Sequence, residues 1–328
     1  MPNNNLYIEL SNPTVYDTQE LWKTKSVRHL LEEILEIPVK KNKKHEESKE
    51  VIRMIGDFSD FQLYLFTLSK KIHIIENSIH RLTDSFSAKI KYYDENDMER
   101  TMDITFSYPL KVLPDDIVKI ETISSEKDIA HDTFRFILKD GKTESHTCDI
   151  DFISNFGENI SQNIPIKVVY VGVVEKSTSE ARERIRKGHH RLEELQAKYD
   201  SKAYEISLIL YRISRLENNK LNLKDLHNTV EYSAISYFQP EYNKEGKNFP
   251  ESPKTVVNAL LTADVNGLFL TLSSPKNVNL FTEFCQDIPN DIGIAIPIAS
   301  DNEGRAQFAD FLSNIVEKYN IPLCSRSR

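Results

Sequence analysis

The sequence predicts an α+β protein, and three patterns carry that reading. Ile166 to Val174 is a nearly continuous apolar run of strand length, as expected of a strand buried on both faces. Ala88 to Phe106 alternates with a period of two about a polar Asp94-Glu-Asn-Asp turn, a hairpin pattern. Glu303 to Tyr319 places Phe308, Phe311, Leu312, Ile315 and Val316 on one face of an amphipathic helix. At 328 residues, 28% charged and 39% hydrophobic, the chain has the make-up of a soluble protein with room for two or three domains.

The remaining elements follow in order. Thr18 to Ile37 carries apolar residues at helical spacing and is ended by Pro38. The Lys40-Lys-Asn-Lys-Lys run after it is a solvated loop or helix entry. Residues 59–84 are dense in Phe, Leu and Ile, and a helix is favoured there with strands left open. A second hairpin joins Thr133 to Leu138 with Thr147 to Phe152 across Lys139-Asp-Gly-Lys, whose Asp-Gly suits a tight turn. Asn155, Gly157, Asn159, Asn163 and Pro165 make residues 153–165 a linker.

Ser177-Thr-Ser-Glu180 then has capping-box form and opens a helix to about Tyr199, with Ile185, His189, Leu192 and Leu195 on one stripe. Glu205 to Ile213 is a strand, Leu223 to Phe238 a helix, and Pro240 a stop. Val256 to Leu272 reads as a helix and a strand broken at Asp264-Val-Asn-Gly, and Asp291 to Ala299 as a further strand. The domains expected are an α+β domain over 1–160, a strand-helix-strand-helix core over 161–250 and an α/β extension over 251–328.

Charge and cysteine content narrow the function classes. Cys148, Cys285 and Cys324 are too few and too scattered for a disulfide framework or a CxxC metal site. No apolar run reaches membrane-spanning length and the first residues carry no secretory signal, so a cytoplasmic protein is expected. The net charge is −8, yet it is unevenly spread: Lys and Arg stand at 21 against 29 Asp and Glu over 1–165, and at 13 against 11 over 166–243. Arg182, Arg184, Arg186, Lys187 and Arg191 make that middle segment a stripe able to meet phosphates, or simply a solvated face. The acidic first half leaves room for a protein partner.

One ordered series of residues points to chemistry. Tyr170-Val-Gly172 ends the apolar strand, Arg184 and His189 follow on the next helix, Glu231 lies on a later one, and Pro240-Glu-Tyr-Asn243 closes the series. This order resembles the GIY-YIG nuclease superfamily. The resemblance implies a small central sheet flanked by helices and a metal-dependent endonuclease, a hydrolase of phosphodiester bonds. Tyr170 and His189 would orient or deprotonate the attacking water. Arg184 would hold the scissile phosphate, whose oxygens suit a fork of donors.

Glu231 would be the metal ligand, for Mg2+ or Mn2+, and Asn243 a brace of the site. Arg182, Arg186, Lys187, His190 and Arg191 would contact nucleic acid, DNA rather than RNA. No Gly-Ile-Tyr stands shortly before Tyr170, where Phe156-Gly157 is the one aromatic beside a glycine, so the first tyrosine of the pattern has no counterpart nearby. The spacing from Gly172 to the helix arginine is also long, which leaves Arg182 and Arg184 both eligible. Restriction, repair or bacterial defence against foreign DNA would be the setting. The alternative is an inactive scaffold of the same kind that binds nucleic acid or acts as a sensor. Singly, each residue also has a structural reading: His189 as a core histidine, Tyr170 as a packing ring, Arg184 as a partner of Glu180, Glu231 as part of a helix cap.

Overall fold

The computed structural model describes residues 5–17, 61–109, 112–124, 131–158, 160–173, 189–217, 221–285 and 290–319. The helix expected over Thr18 to Ile37, the Lys40 run and most of the helix expected from Ser177 lie outside them. In chain order the elements are β1 (Asn5–Asp17), β2 (Phe61–Lys70), β3 (His73–Ile74), β4 (His80–Arg81), β5 (Ser85–Tyr93) and β6 (Glu99–Ser107). Next come β7 (Ile117–Ile123), β8 (Thr133–Leu138), β9 (Thr143–Thr147), α1 (Ile150–Phe156), β10 (Gly157–Glu158) and β11 (Ile164–Val173). The chain finishes with α2 (His190–Lys198), β12 (Tyr204–Glu217), α3 (Leu223–Phe238), α4 (Lys254–Thr262), β13 (Gly267–Ser273), β14 (Val278–Phe281), β15 (Asp291–Pro297) and α5 (Asn302–Tyr319).

A mixed sheet of seven strands, in the order β14-β11-β2-β12-β1-β13-β15, organises the molecule. The pairs β11–β14 and β1–β13 are parallel; the other four neighbours are antiparallel. Strands of all three expected domains therefore share one sheet, which crosses the boundaries drawn at 160 and 250. The α+β class holds.

Side chains of the central strands separate into two faces. Leu63, Leu65, Val168, Val171 and Ile209 join one large core with Val230 and Ala234 of α3 and Leu260 of α4. Tyr64, Phe66, Leu68, Val169, Leu208 and Leu210 pack on the other face against Leu192 and Leu195 of α2. Further along that second face, Tyr7 and Phe269 pack against Phe308, Phe311 and Ile315 of α5.

The helix favoured over residues 59–84 is replaced by β2, β3 and β4, for a reason visible in the burial. Leu63, Tyr64, Leu65 and Phe66 are all at most 1% exposed, so successive side chains are buried on opposite faces. A strand between two helical layers can bury such a run completely, at roughly 1.5–3 kcal/mol for each large apolar side chain. An isolated surface helix would leave one side of the run in water.

Residues between β2 and β11 fold as an insertion with two small sheets, β10-β6-β5-β3 with β4 alongside β5, and β7-β8-β9. The hairpin expected across Asp94 to Asp97 is β5–β6. The one expected across Asp140-Gly141 is β8–β9, with Gly141 at φ 82° in the left-handed region that a tight turn uses. Its second strand stops at Thr147, however. The Asp149 carboxylate accepts from the Phe152 amide at 2.7 Å and starts α1, where residues to 152 were expected to continue the strand. The expected linker over 153–165 is the end of α1, β10 and the start of β11.

Downstream of β11 several expected elements stand, while the helix expected to run unbroken from Ser177 to Tyr199 is interrupted at the extended His189, and β14 is a strand that the sequence reading did not include. The Leu223 to Phe238 helix has the expected limits, with the Asn222 carboxamide accepting from the Asp225 amide at 2.9 Å as its cap. The helix-then-strand break at Asp264-Val-Asn-Gly, the strand from Asp291 and the closing helix are α4–β13, β15 and α5.

Candidate active site

A bulge in β11 sets the geometry around Tyr170. The register against β2 runs Val168 to Thr67 and then Tyr170 to Phe66, so Val169 is an extra residue on the β11 side. A bulge re-phases the side chains that follow it. It brings Tyr170 and Gly172 onto the face of their partners Phe66 and Tyr64, the face covered by α2.

Gly172 is required there by contact. A Cβ at this position would lie 2.5 Å from Cζ and Oη of Tyr64 and 2.9 Å from Cε1 of Tyr170. The two tyrosine rings come together over the bare backbone, with centroids 6.1 Å apart.

His189 closes the cluster. It is buried, 8% exposed, and extended (φ −115°, ψ 106°) as the residue before α2, so the helix expected to run through it from Ser177 is broken there and α2 starts at His190, while Leu192 and Leu195 are buried as expected. Its Nε2 is 2.7 Å from the Tyr64 hydroxyl, a hydrogen bond whose donor depends on the imidazole tautomer. The imidazole also stands edge-on to Phe66 at 5.1 Å and to Tyr170 at 5.5 Å between ring centroids. Of the three polar rings Tyr170 is half-exposed, while Tyr64 is 1% exposed.

Asn243 reaches the same strand from the side. Beyond Lys167, β11 has no further pairing with β14, and the segment after α3 takes over that edge. Gln239 caps α3 in the left-handed conformation, φ 52° and ψ 46°, and turns the chain back. The Tyr242 amide then donates to the Val169 carbonyl at 3.0 Å. Asn243 accepts from the Val171 amide through Oδ1 and donates to the Val171 carbonyl through Nδ2, both at 2.8 Å. A carboxamide thus imitates a neighbouring strand and satisfies both backbone groups between Tyr170 and Gly172, in a buried setting.

Tyr170, Gly172, His189 and Asn243 are therefore together, and with them Tyr64. Sequence reasoning missed Tyr64 because it lies in the run favoured as helix, with a whole insertion between it and Tyr170. The Phe156-Gly157 pair that stood in its place belongs to the insertion, where β10 pairs with β6. The signal that could have found Tyr64 is the apolar density of Phe61 to Leu68, matching that of Ile166 to Val173 as one buried strand matches another.

Glu231 lies on α3, half-buried and nine positions past the Asn222 cap, so it plays no part in capping that helix. The buried face of α3 packs on the sheet face opposite Tyr64 and His189. For the carboxylate and the rings to act on one phosphate, they must meet around the edge of β11 that Tyr242 and Asn243 cover. Arg182, Arg184, Arg186 and Lys187 lie outside the described residues.

His190 is exposed at the start of α2, and Arg191 donates through Nη1 to Glu194 at 2.6 Å. That hydrogen bond holds the Glu194 carboxyl below its ordinary range. Among the described residues, no three His, Cys, Asp or Glu side chains form a metal-binding group, and no helix is long and apolar enough to cross a membrane. No protein-family model, curated protein or solved structure matches the chain.

Proposed function

We propose that the chain is a metal-dependent endonuclease with a GIY-YIG-like core, acting on phosphodiester bonds of DNA. The observation that supports it best is the 2.7 Å bond between Tyr64 and His189 beside Tyr170, over a glycine with no room for a side chain. In this reading Tyr64 takes the part of the first tyrosine of the pattern, delivered from a strand far upstream. Tyr170 offers its hydroxyl to the attacking water. The Tyr64–His189 pair can accept a proton or steady a phenolate, because imidazole titrates near neutral pH. Asn243 is a positioning residue that fixes the Tyr170–Gly172 backbone.

Mg2+ keeps most of its waters and needs one or two carboxylate anchors; Glu231, on the helix behind the opposite sheet face, is the residue that would hold it. When bound, the ion would supply charge stabilisation at the phosphoryl oxygens. Arg184 would grip the phosphate.

The burial of Tyr64 and His189 favours a second reading, a scaffold of the same kind that binds nucleic acid without turnover. A polar pair satisfied inside an aromatic cluster is also good core packing. Glu231→Ala separates the two. The endonuclease reading expects loss of plasmid cleavage by at least about 100-fold, from several kcal/mol of transition-state stabilisation, with DNA retention in a gel-shift assay unchanged. Cleavage at the wild-type rate would remove Glu231 from the site.

A further inference from the structure

The geometry points to a base-stacking subsite for single-stranded nucleic acid beside the Tyr170 cluster, an inference that rests on the nuclease reading and specifies the substrate's form. A cleft of about 210 Å3 is lined by Lys70, Tyr93, Lys167, Tyr199, Tyr204 and Phe281 among others. All six side chains are half-buried, so each is anchored on one side and open on the other. Tyr199 and Tyr204 stand edge-to-face with centroids 5.2 Å apart, and the Lys70 ammonium lies 4.5 Å over the Tyr93 ring. Both Tyr199 and Tyr204 pack on the apolar cluster that also supports Tyr170, which puts the cleft on the same face of the sheet.

Distance along the strand makes the link to the candidate site. Lys167 pairs with Leu68 and Tyr170 with Phe66, so the two residues share that face. Because Val169 is bulged, their partners Leu68 and Phe66 are only two strand residues apart, a span of roughly 7 Å, the reach of about two stacked nucleotides at 3.4 Å each. A strand with its phosphate at Tyr170 would bring a neighbouring base to the Tyr199–Tyr204 wall.

The lining suits unstacked bases and suits a duplex poorly. Aromatic side chains bind single strands by stacking on base faces, which a double helix keeps covered, while lysines follow the backbone. Lys167 is bound to Glu283 at 2.7 Å with Glu241 farther off at 4.0 Å, and Lys70 to Asp97 at 3.2 Å. Glu283 and Asp97 are largely exposed, and such surface pairs hold weakly enough to exchange for a phosphate. Asp94, also in the lining, is committed to the Asn96 and Met98 amides and to Arg100, which makes it part of the wall.

The test uses the full chain, a fluorescein-labelled oligothymidylate and a labelled duplex of equal length, read by fluorescence anisotropy. Tyr204→Leu keeps an apolar side chain and removes the ring. It is expected to weaken oligothymidylate binding by about tenfold, with the duplex unaffected. Tyr204→Phe, which keeps the ring, should retain wild-type affinity. The slope of binding against salt should stay the same in Tyr204→Leu and fall in Lys167→Gln, since only the lysine meets a phosphate. Equal oligothymidylate affinity in wild type and Tyr204→Leu, or equal losses on strand and duplex, would overturn the subsite. Oligothymidylate binding that depends on Tyr204 in a chain that cleaves nothing would keep the subsite and overturn the nuclease. Cleavage with no Tyr204 dependence would do the reverse.

Discussion

Asn243→Asp is expected to destabilise the protein by about 3 kcal/mol at neutral pH, lowering the melting temperature by roughly 4–5 °C. The substitution is nearly isosteric, so packing is unchanged. What changes is one polar contact: the Val171 carbonyl, now bonded to Nδ2 at 2.8 Å, would face a carboxylate oxygen at the same distance. The Val171 amide still donates to the other oxygen, but that one bond offsets only part of the cost of a buried charge facing a carbonyl dipole. Protonating the new carboxyl restores a donor, which fixes the sign of the pH dependence. The folded variant holds that proton more tightly than the unfolded chain, so its deficit is absent below the unfolded carboxyl pKa. It grows as pH rises and is complete above the raised folded pKa. Melting curves of variant and wild type should converge toward acid and separate toward neutrality. A deficit that did not change with pH would mean that the Asn243 side chain does not bridge Val171.

Gly172→Ala is expected to cost about 2 kcal/mol and to disturb the candidate site in the same step. The added methyl would lie 2.5 Å from the Tyr64 ring, and that ring cannot swing aside freely because His189 holds its hydroxyl at 2.7 Å. A double-mutant cycle tests this cause directly. In a Tyr64→Ala background the two closest contacts are gone and the Tyr170 Cε1 contact at 2.9 Å remains, so Gly172→Ala should cost clearly less there, about 1 kcal/mol or below. Additive losses would place the strain elsewhere.

How much of this was legible in the sequence depends on whether a feature is local. The α3 helix, the Asp140-Gly141 turn and the buried Leu192-Leu195 pair of α2 are set by residues a few positions apart, and each stands where the spacing predicts. The Asn243 brace was named from its motif, although its partner, the Val171 backbone, appears only in the fold. Tyr64 illustrates the opposite case. Its strand is apolar on both faces, which erases the period that tells strand from helix, and its pairing with β11 closes over a folded insertion. Chain closure over such a length adds little to the entropy already lost, so the fold tolerates what a motif of fixed spacing cannot describe.

The bulge at Val169 is illegible for a related reason. An extra residue in a strand of similar apolar side chains leaves no mark in Ile166-Lys-Val-Val-Tyr-Val-Gly172, yet it decides that Tyr170 faces His189. Glu231 shows a further limit. Its order in the series was readable, whereas the sheet face on which α3 packs follows from topology alone.

The central claim is that the Tyr64–Tyr170–His189 face carries out phosphodiester hydrolysis, and conversion of supercoiled plasmid by wild type and Tyr170→Phe tests it most directly. Removing the hydroxyl of the half-buried Tyr170 keeps the ring and its packing, so both proteins should melt within a few degrees of each other. With Mg2+ the wild type should yield nicked and linear DNA, and Tyr170→Phe should be slower by at least about 100-fold, the usual scale for a proton-transfer group. Equal rates in the two proteins, or no cleavage by wild type of either plasmid or single-stranded DNA in both Mg2+ and Mn2+, would contradict it.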